Sequence, residues 1–203
     1  MTNTSDTTMR SGEEIKGIVN ERESQLRLQT SVRLRWTAVL GQLLAVGVVT
    51  FGYGFRLDVA NCLLLIALSA WLNVYLSIRY PGRHRLSKSF AMALLLYDVL
   101  QLAGLLYLTG GIQNPFVVLL VAPVTVSAAT LPPRYTIVLG ASVVALATLL
   151  IVNYQPLPWF DNMRFELPRD YKVGVLVALI ASMSFMAFFT WRLNKESRQM
   201  SAA

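Results

Sequence analysis

The sequence predicts an all-α fold: an integral membrane bundle of six transmembrane helices with both termini in the cytoplasm. Only 14% of the 203 residues are charged, against about 25% in soluble domains, and 55% are hydrophobic. The hydrophobic residues lie in six blocks, each close to the ~20 residues that cross a bilayer core. The blocks are Trp36–Tyr53, Val59–Ile78, Phe90–Thr109, Phe116–Leu131, Tyr135–Asn153 and Val173–Trp191.

The segment before the first block, residues 1–35, is predicted to stay on the cytoplasmic side. Residues 1–12 are polar, and no apolar stretch follows them directly, so they do not form a signal peptide. Residues 13–35 carry Ile15, Ile18, Val19 and Leu26 at roughly helical spacing, with basic residues among them. This pattern predicts an amphipathic helix on the membrane surface, and a solvated leader helix is the alternative.

The orientation follows from the positions of the 18 lysines and arginines, because cytoplasmic flanks carry an excess of them. Most fall on the side that holds both termini, the linker Arg79–Ser89 and Arg134. Those on the opposite side are Arg56, Arg164, Arg169 and Lys172. Aromatic residues lie at the block ends, as interfacial anchors do. They are Trp36, Tyr53, Tyr80, Tyr135, Tyr154, Trp159, Tyr171 and Trp191.

The fourth block, the sixth block and the linker of residues 154–172 depart from the simple pattern of straight spans joined by short turns. The fourth block is short and contains Pro123, which predicts a kink or a tilt. The sixth continues past Trp191, and Met186, Leu193 and Met200 recur every seven residues. This spacing favours either one strand of a parallel coiled coil or a frayed basic anchor. The linker of residues 154–172 has room for a helical turn around Pro158–Asn162.

The segment Gly110-Gly111-Ile112-Gln113-Asn114-Pro115-Phe116, called here the hairpin, joins the third block to the fourth. The glycines allow a positive φ and a close approach, and the Asn-Pro pair ends the connection sharply. A tight turn needs no more than these features. The amides of Gln113 and Asn114 beside the ring of Phe116 would also suit a quinone, which needs hydrogen bonds to its carbonyls and a flat apolar surface.

Asp98 is the one acidic residue inside a predicted membrane block. A charge there costs about 3 kcal/mol or more, so Asp98 must face the bundle with a partner or be neutral. Gln101 is three residues further on and shares its helix face. The two form either a polar relay near a ligand or an interhelical clamp. Candidate partners in the second block are Asn61, Ser69 and Asn73.

The rarity of metal ligands excludes several classes of site. With one histidine, His84, and one cysteine, Cys62, the chain cannot supply bis-histidine haem ligation, a His-based zinc site or an internal disulfide. We expect no metal and no haem, with His84 in a solvated loop and Cys62 packed as an apolar side chain. The net charge of +7 lies beside apolar blocks, so no nucleic-acid partner is expected.

Residues 110–116 match the GGxxNPF heptapeptide of the RegB/PrrB/ActS redox-sensing histidine kinases, and Leu26–Gln42 resembles the basic lead-in and first helix of that family. The resemblance implies a sensor domain at residues 36–191 of a bacterial inner membrane protein, and a signalling helix entering the cytoplasm at residues 192–203. It implies ubiquinone as the sensed ligand, held by Gly110, Gly111, Gln113, Asn114, Pro115 and Phe116. Implied partners are membrane lipid, a second copy in a homodimer, and a RegA-type response regulator reached through a kinase core.

The sequence departs from that family because it has no H-box histidine and no ATP-binding segments. We therefore expect the sensor part of such a kinase, which is not itself an enzyme. The alternative is a small transporter or channel that uses Asp98, although no repeat between the two halves supports it. An intramembrane protease would need a second acid or a Ser/His pair in the membrane, and the chain has neither.

Overall fold

A computed structural model describes residues 32–55, 57–79, 87–156 and 166–200, with side chains to residue 193. Every regular element in these ranges is helical, as predicted. Two short segments, Gly111–Gln113 and Pro115–Leu120, are 3₁₀ helices. The α-helices are α1 Val32–Gly52 (with a π-helical last turn, Val48–Gly52), α2 Val59–Arg79, α3 Lys88–Leu108, α4 Val121–Thr130, α5 Pro133–Val152 and α6 Arg169–Met200.

Among the described residues, five helices are long and apolar enough to cross a membrane, namely α1, α2, α3, α5 and the Arg169–Leu193 part of α6. The fourth predicted block forms a shorter apolar helix, Pro115–Thr130. Its first 6 residues are 3₁₀ and its last 10 are α-helical. A 3₁₀ helix rises about 2.0 Å per residue and an α-helix about 1.5 Å, so this helix extends over about 27 Å.

Pro123 is the third residue of α4, just after the change from 3₁₀ helix to α-helix. A kink or tilt at this residue stays a prediction. The irregularity precedes it as the 3₁₀ segment. The helix therefore gains length from a change in helix type at its beginning.

Two clusters of buried side chains hold the helices together, and α3 contributes to both. The smaller joins α1, α2 and α3 through Val39, Cys62, Ile66 and Leu105. The larger joins α3 to α4, α5 and α6, and its fully enclosed members are Val99, Leu120, Leu139, Val143 and Ala147. Cys62 is buried in the smaller cluster, as predicted. The hairpin residue Ile112 belongs to the larger cluster, so the hairpin packs against the part of the bundle formed by α3 to α6.

The sixth helix continues without a break for 32 residues, from Arg169 to Met200. At 1.5 Å per residue it is about 48 Å long, well beyond the ~30 Å hydrocarbon core. Its continuation past Trp191 was predicted, and the coiled coil stays a prediction. Residues 13–31, His84 and the proposed turn at Pro158–Asn162 lie outside the described residues.

Candidate functional site

The hairpin begins with two residues in the left-handed region of backbone conformation. Gly110 has φ +105° and Gly111 has φ +64°, as the sequence predicted. A Cβ atom on Gly111 would lie 2.6 Å from the Cβ of Tyr154 and 2.7 Å from the carbonyl oxygen of Leu150. Only glycine therefore lets the hairpin lie directly against the end of α5.

Asn114 closes the hairpin with its own side chain. Its Nδ2 group donates to the carbonyl oxygen of Thr109 at 3.0 Å and to the Thr109 hydroxyl at 2.7 Å. Its Oδ1 atom accepts from the backbone N–H of Phe116 at 2.9 Å. Pro115 begins the following 3₁₀ segment. Both amide hydrogens of Asn114 are engaged within the chain, so a ligand carbonyl would have to take its hydrogen bond from another group.

Gln113 and Phe116 are the hairpin side chains with free hydrogen-bonding or stacking capacity. The Oε1 atom of Gln113 accepts from the backbone N–H of Leu167 at 2.7 Å, which directs the Nε2 group elsewhere. That Nε2 group has no hydrogen-bond partner within the described ranges. Phe116 is 46% exposed. The hairpin thus presents one amide donor and one aromatic face at the edge of the apolar spans.

Two further hydrogen bonds lie next to the hairpin, at the end of α5 and the beginning of α6. The backbone N–H of Gln155 donates to the carbonyl oxygen of Tyr107 at 2.8 Å, in the last turn of α3. The Nζ group of Lys172 donates to the Tyr154 hydroxyl at 3.0 Å. The hairpin, the end of α5 and the beginning of α6 are therefore one contiguous hydrogen-bonded layer.

Asp98 has a charged partner that the sequence did not indicate. The Nη2 atom of Arg35 lies 2.8 Å from Oδ2 of Asp98, with the side chains 11% and 28% exposed respectively. The prediction that the carboxylate faces the bundle with a partner is confirmed. The same Nη2 atom is 3.5 Å from the carbonyl oxygen of Leu94, so Arg35 reaches past one turn of α3 to the carboxylate.

The candidate partners in α2 were wrong. Asn61 bonds to Asp58 at the beginning of its own helix. Asn73 donates to the carbonyl oxygen of Val32 at 3.2 Å, and Ser69 is buried. Asn61 therefore bonds at the beginning of α2 and Asn73 bonds to the first turn of α1, while Asp98 pairs with Arg35 of α1.

Gln101 is paired with Gln42 by two reciprocal hydrogen bonds. Each Nε2 group donates to the partner's Oε1 atom, at 3.2 and 3.0 Å. Gln42 and Gln101 are 59 positions apart, as are Arg35 and Leu94, so α1 and α3 run parallel in a single register. The ion pair and the amide pair have the geometry of an interhelical clamp, and a relay through Asp98 and Gln101 stays a prediction. Within the described ranges, no three His, Cys, Asp or Glu side chains cluster as a metal site would require.

The family model named "PilS-like transmembrane domain" matches residues 20–202. The chain belongs to this family. Two sequences named "Sensor histidine kinase RegB", both from Cereibacter sphaeroides, are 37% and 38% identical over 189 residues, which is 92% of this chain. The resemblance to RegB is thereby confirmed. This PilS-like domain spans 41% of each of those relatives. No solved structure matches the chain.

The family match and the spans confirm the prediction of a multi-pass protein of the bacterial inner membrane. Within this PilS-like domain, sequence reasoning found the hairpin but not its contacts. Tyr154 was noted as an interfacial aromatic residue, Lys172 as a basic residue on the side opposite the termini, and Leu167 only as part of the linker of residues 154–172. Arg35 was counted among the membrane-surface charges. The sequence signal that could have found this pair is an acid inside one span, Asp98, together with a basic residue near the beginning of another span.

Proposed function

We propose that this chain is the membrane sensor region of a two-component histidine kinase and that it responds to the redox state of the quinone pool. The kinase assignment rests on the relatives named as sensor histidine kinases. Both termini then lie in the cytoplasm, in accord with the lysine and arginine bias. The chain would act as a homodimer in which α6 leads to a kinase core and, through it, to a response regulator.

The observation that carries the quinone proposal is the pairing of a ring and a free amide on one hairpin. Phe116 exposes nearly half of its surface. Among the described residues, none accepts a hydrogen bond from the Nε2 group of Gln113, so that group can donate to a ligand. Ubiquinone would stack on the ring and accept a hydrogen bond from Gln113. A quinone only accepts hydrogen bonds whereas a quinol also donates them, so the two forms bind the same site with different contacts.

The remaining hairpin residues act by shape. Gly110 and Gly111 provide the left-handed backbone, Pro115 begins the next segment, and Asn114 caps both sides of the turn. This assignment changes the expected role of Asn114 from a ligand donor to a structural cap. Replacing it would disturb the hairpin itself, so Phe116 is the sharper position for a test of quinone binding.

The transporter alternative is weaker because of the partner of Asp98. A coupling carboxylate must exchange its partner for the transported ion. In the structure Arg35 holds that carboxylate at 2.8 Å, and the neighbouring amide pair keeps α1 and α3 in register. The arrangement favours a static clamp.

The test is ubiquinone-1 binding to the purified 203-residue chain in lipid nanodiscs, with binding to empty nanodiscs subtracted. An aromatic contact is worth about 0.5–1.5 kcal/mol, so Phe116→Ala should raise the Kd roughly two- to tenfold. Leu119→Ala is the matched control, because Leu119 is 45% exposed on the same 3₁₀ segment. Equal affinities in wild type, Phe116→Ala and Leu119→Ala would reject the hairpin as the quinone site.

A further inference from the structure

We infer that Gln113 is a positioning residue that couples the ligand at the hairpin to the beginning of α6 through a single amide group. This inference rests on the proposed quinone site and states how ligand binding there would reach α6. The amide has two ends: Oε1 accepts from the backbone N–H of Leu167 at 2.7 Å, and Nε2 is the free donor on the ligand side. One planar group thus connects the ligand to α6.

Leu167 is joined rigidly to α6. It lies two residues before Arg169, the first residue of the helix, with Pro168 between them. Proline fixes its own φ angle, and the carbonyl oxygen of Pro168 accepts from the backbone N–H of Lys172 in the first helical turn at 3.2 Å. A change at the Leu167 N–H group therefore reaches the first turn of α6 through few rotatable bonds.

Lys172 Nζ also joins α6 to the Tyr154 hydroxyl, and two neighbouring contacts hold the hairpin and the end of α5 without involving α6. Gln155 bonds to Tyr107 through its backbone N–H, and Gly111 lies in direct contact with the end of α5. Neither contact depends on a group that a ligand can recruit. Gln113 is different, because its side-chain amide spans from the hairpin to the α6 lead-in and can change its hydrogen-bonding direction.

The two redox forms make different demands on this amide. A quinone carbonyl accepts from Nε2 and leaves Oε1 with Leu167, so both bonds coexist. A quinol hydroxyl can still accept from Nε2, but its own O–H group needs an acceptor, and Oε1 is the only acceptor that this side chain offers it. Turning Oε1 toward the quinol directs Nε2 at the Leu167 N–H group, which places donor against donor. Quinone should therefore retain the attachment of α6, and quinol should weaken it.

The test measures hydrogen–deuterium exchange of residues 166–172 in the full 203-residue chain in nanodiscs, with ubiquinone-1 or ubiquinol-1 bound at saturation. Exchange at Leu167 should be faster with ubiquinol-1, by up to about tenfold for the loss of one hydrogen bond. Gln113→Met should abolish the difference. Gln155→Met is the matched control and should behave as wild type, because Gln155 makes its bond through the backbone.

A second variant keeps half of the amide chemistry. Gln113→Glu retains an acceptor for Leu167 but has no N–H donor, so binding should shift in favour of ubiquinol-1 over ubiquinone-1. Binding of both ligands with no redox difference in wild-type exchange would overturn the coupling while the quinone site stands, as would a difference that persists in Gln113→Met. A wild-type chain that binds neither ligand would overturn the site and the coupling together.

Discussion

Replacing Gly111 with alanine tests whether the hairpin is shaped by its contact with α5. The added Cβ atom would lie 2.6 Å from Tyr154 Cβ and 2.7 Å from the Leu150 carbonyl oxygen. The carbonyl oxygen belongs to the main chain and the Cβ atom is attached to it, so neither moves away by a side-chain rotation. The backbone of α5 or the hairpin itself must shift.

Two costs contribute, and a second glycine separates them. An L-residue in the left-handed region costs about 1–2 kcal/mol, and overpacking costs about 1–3 kcal/mol more. Gly54 has φ +70° with nothing within 4 Å of its would-be Cβ, so Gly54→Ala incurs only the first cost. The free energy of unfolding should fall by about 1–2 kcal/mol in Gly54→Ala and by about 2–5 kcal/mol in Gly111→Ala.

The assay is reversible unfolding of each variant in mixed detergent and dodecyl sulfate micelles, followed by circular dichroism. The informative quantity is the difference between the two variants, because strain from the positive φ cancels in it. Equal losses of stability would show that the hairpin does not depend on its contact with α5 and would refute the close approach of Gly111 to Leu150 and Tyr154.

Two further perturbations test the clamp between α1 and α3 in the same unfolding assay. Asp98→Ala leaves the Arg35 guanidinium unpaired inside the bundle and should cost about 3–5 kcal/mol, whereas Asp98→Ala with Arg35→Leu should cost clearly less. Additive losses would contradict the ion pair. Gln101→Leu leaves Gln42 without its partner and should cost about 0.6–1.7 kcal/mol, most of it recovered on adding Gln42→Leu; no recovery would argue against the reciprocal amide pair.

The positions of the spans could be predicted closely, and the departures have local causes. Each predicted block coincides with a helix, and α1 as described from Val32 includes Arg35. Arg35 was predicted to lie at the membrane surface and instead pairs with Asp98. The 3₁₀ segment Pro115–Leu120 was not predicted, since an apolar composition does not distinguish a 3₁₀ helix from an α-helix.

The backbone shape of the hairpin could be predicted from the sequence, but the roles of its two amide side chains could not. The positive φ angles of the two glycines followed from residue type, and a resemblance to a known heptapeptide drew attention to the hairpin. The different roles of its two amide side chains could not be predicted, because Asn114 and Gln113 have the same functional group. Their surroundings distinguish them: Asn114 lies beside Thr109 in its own turn, and Gln113 lies beside Leu167.

The sequence by itself determined which segments cross the membrane, because the free energy of entering lipid depends on each segment's own composition. It also determined where the chain turns sharply, since only glycine adopts those backbone angles without strain. Only the tertiary structure decided that Arg35 meets Asp98 and that Gln113 meets Leu167. Those pairings depend on which helices are neighbours, and in a bilayer that choice arises from many weak packing contacts spread along whole helices.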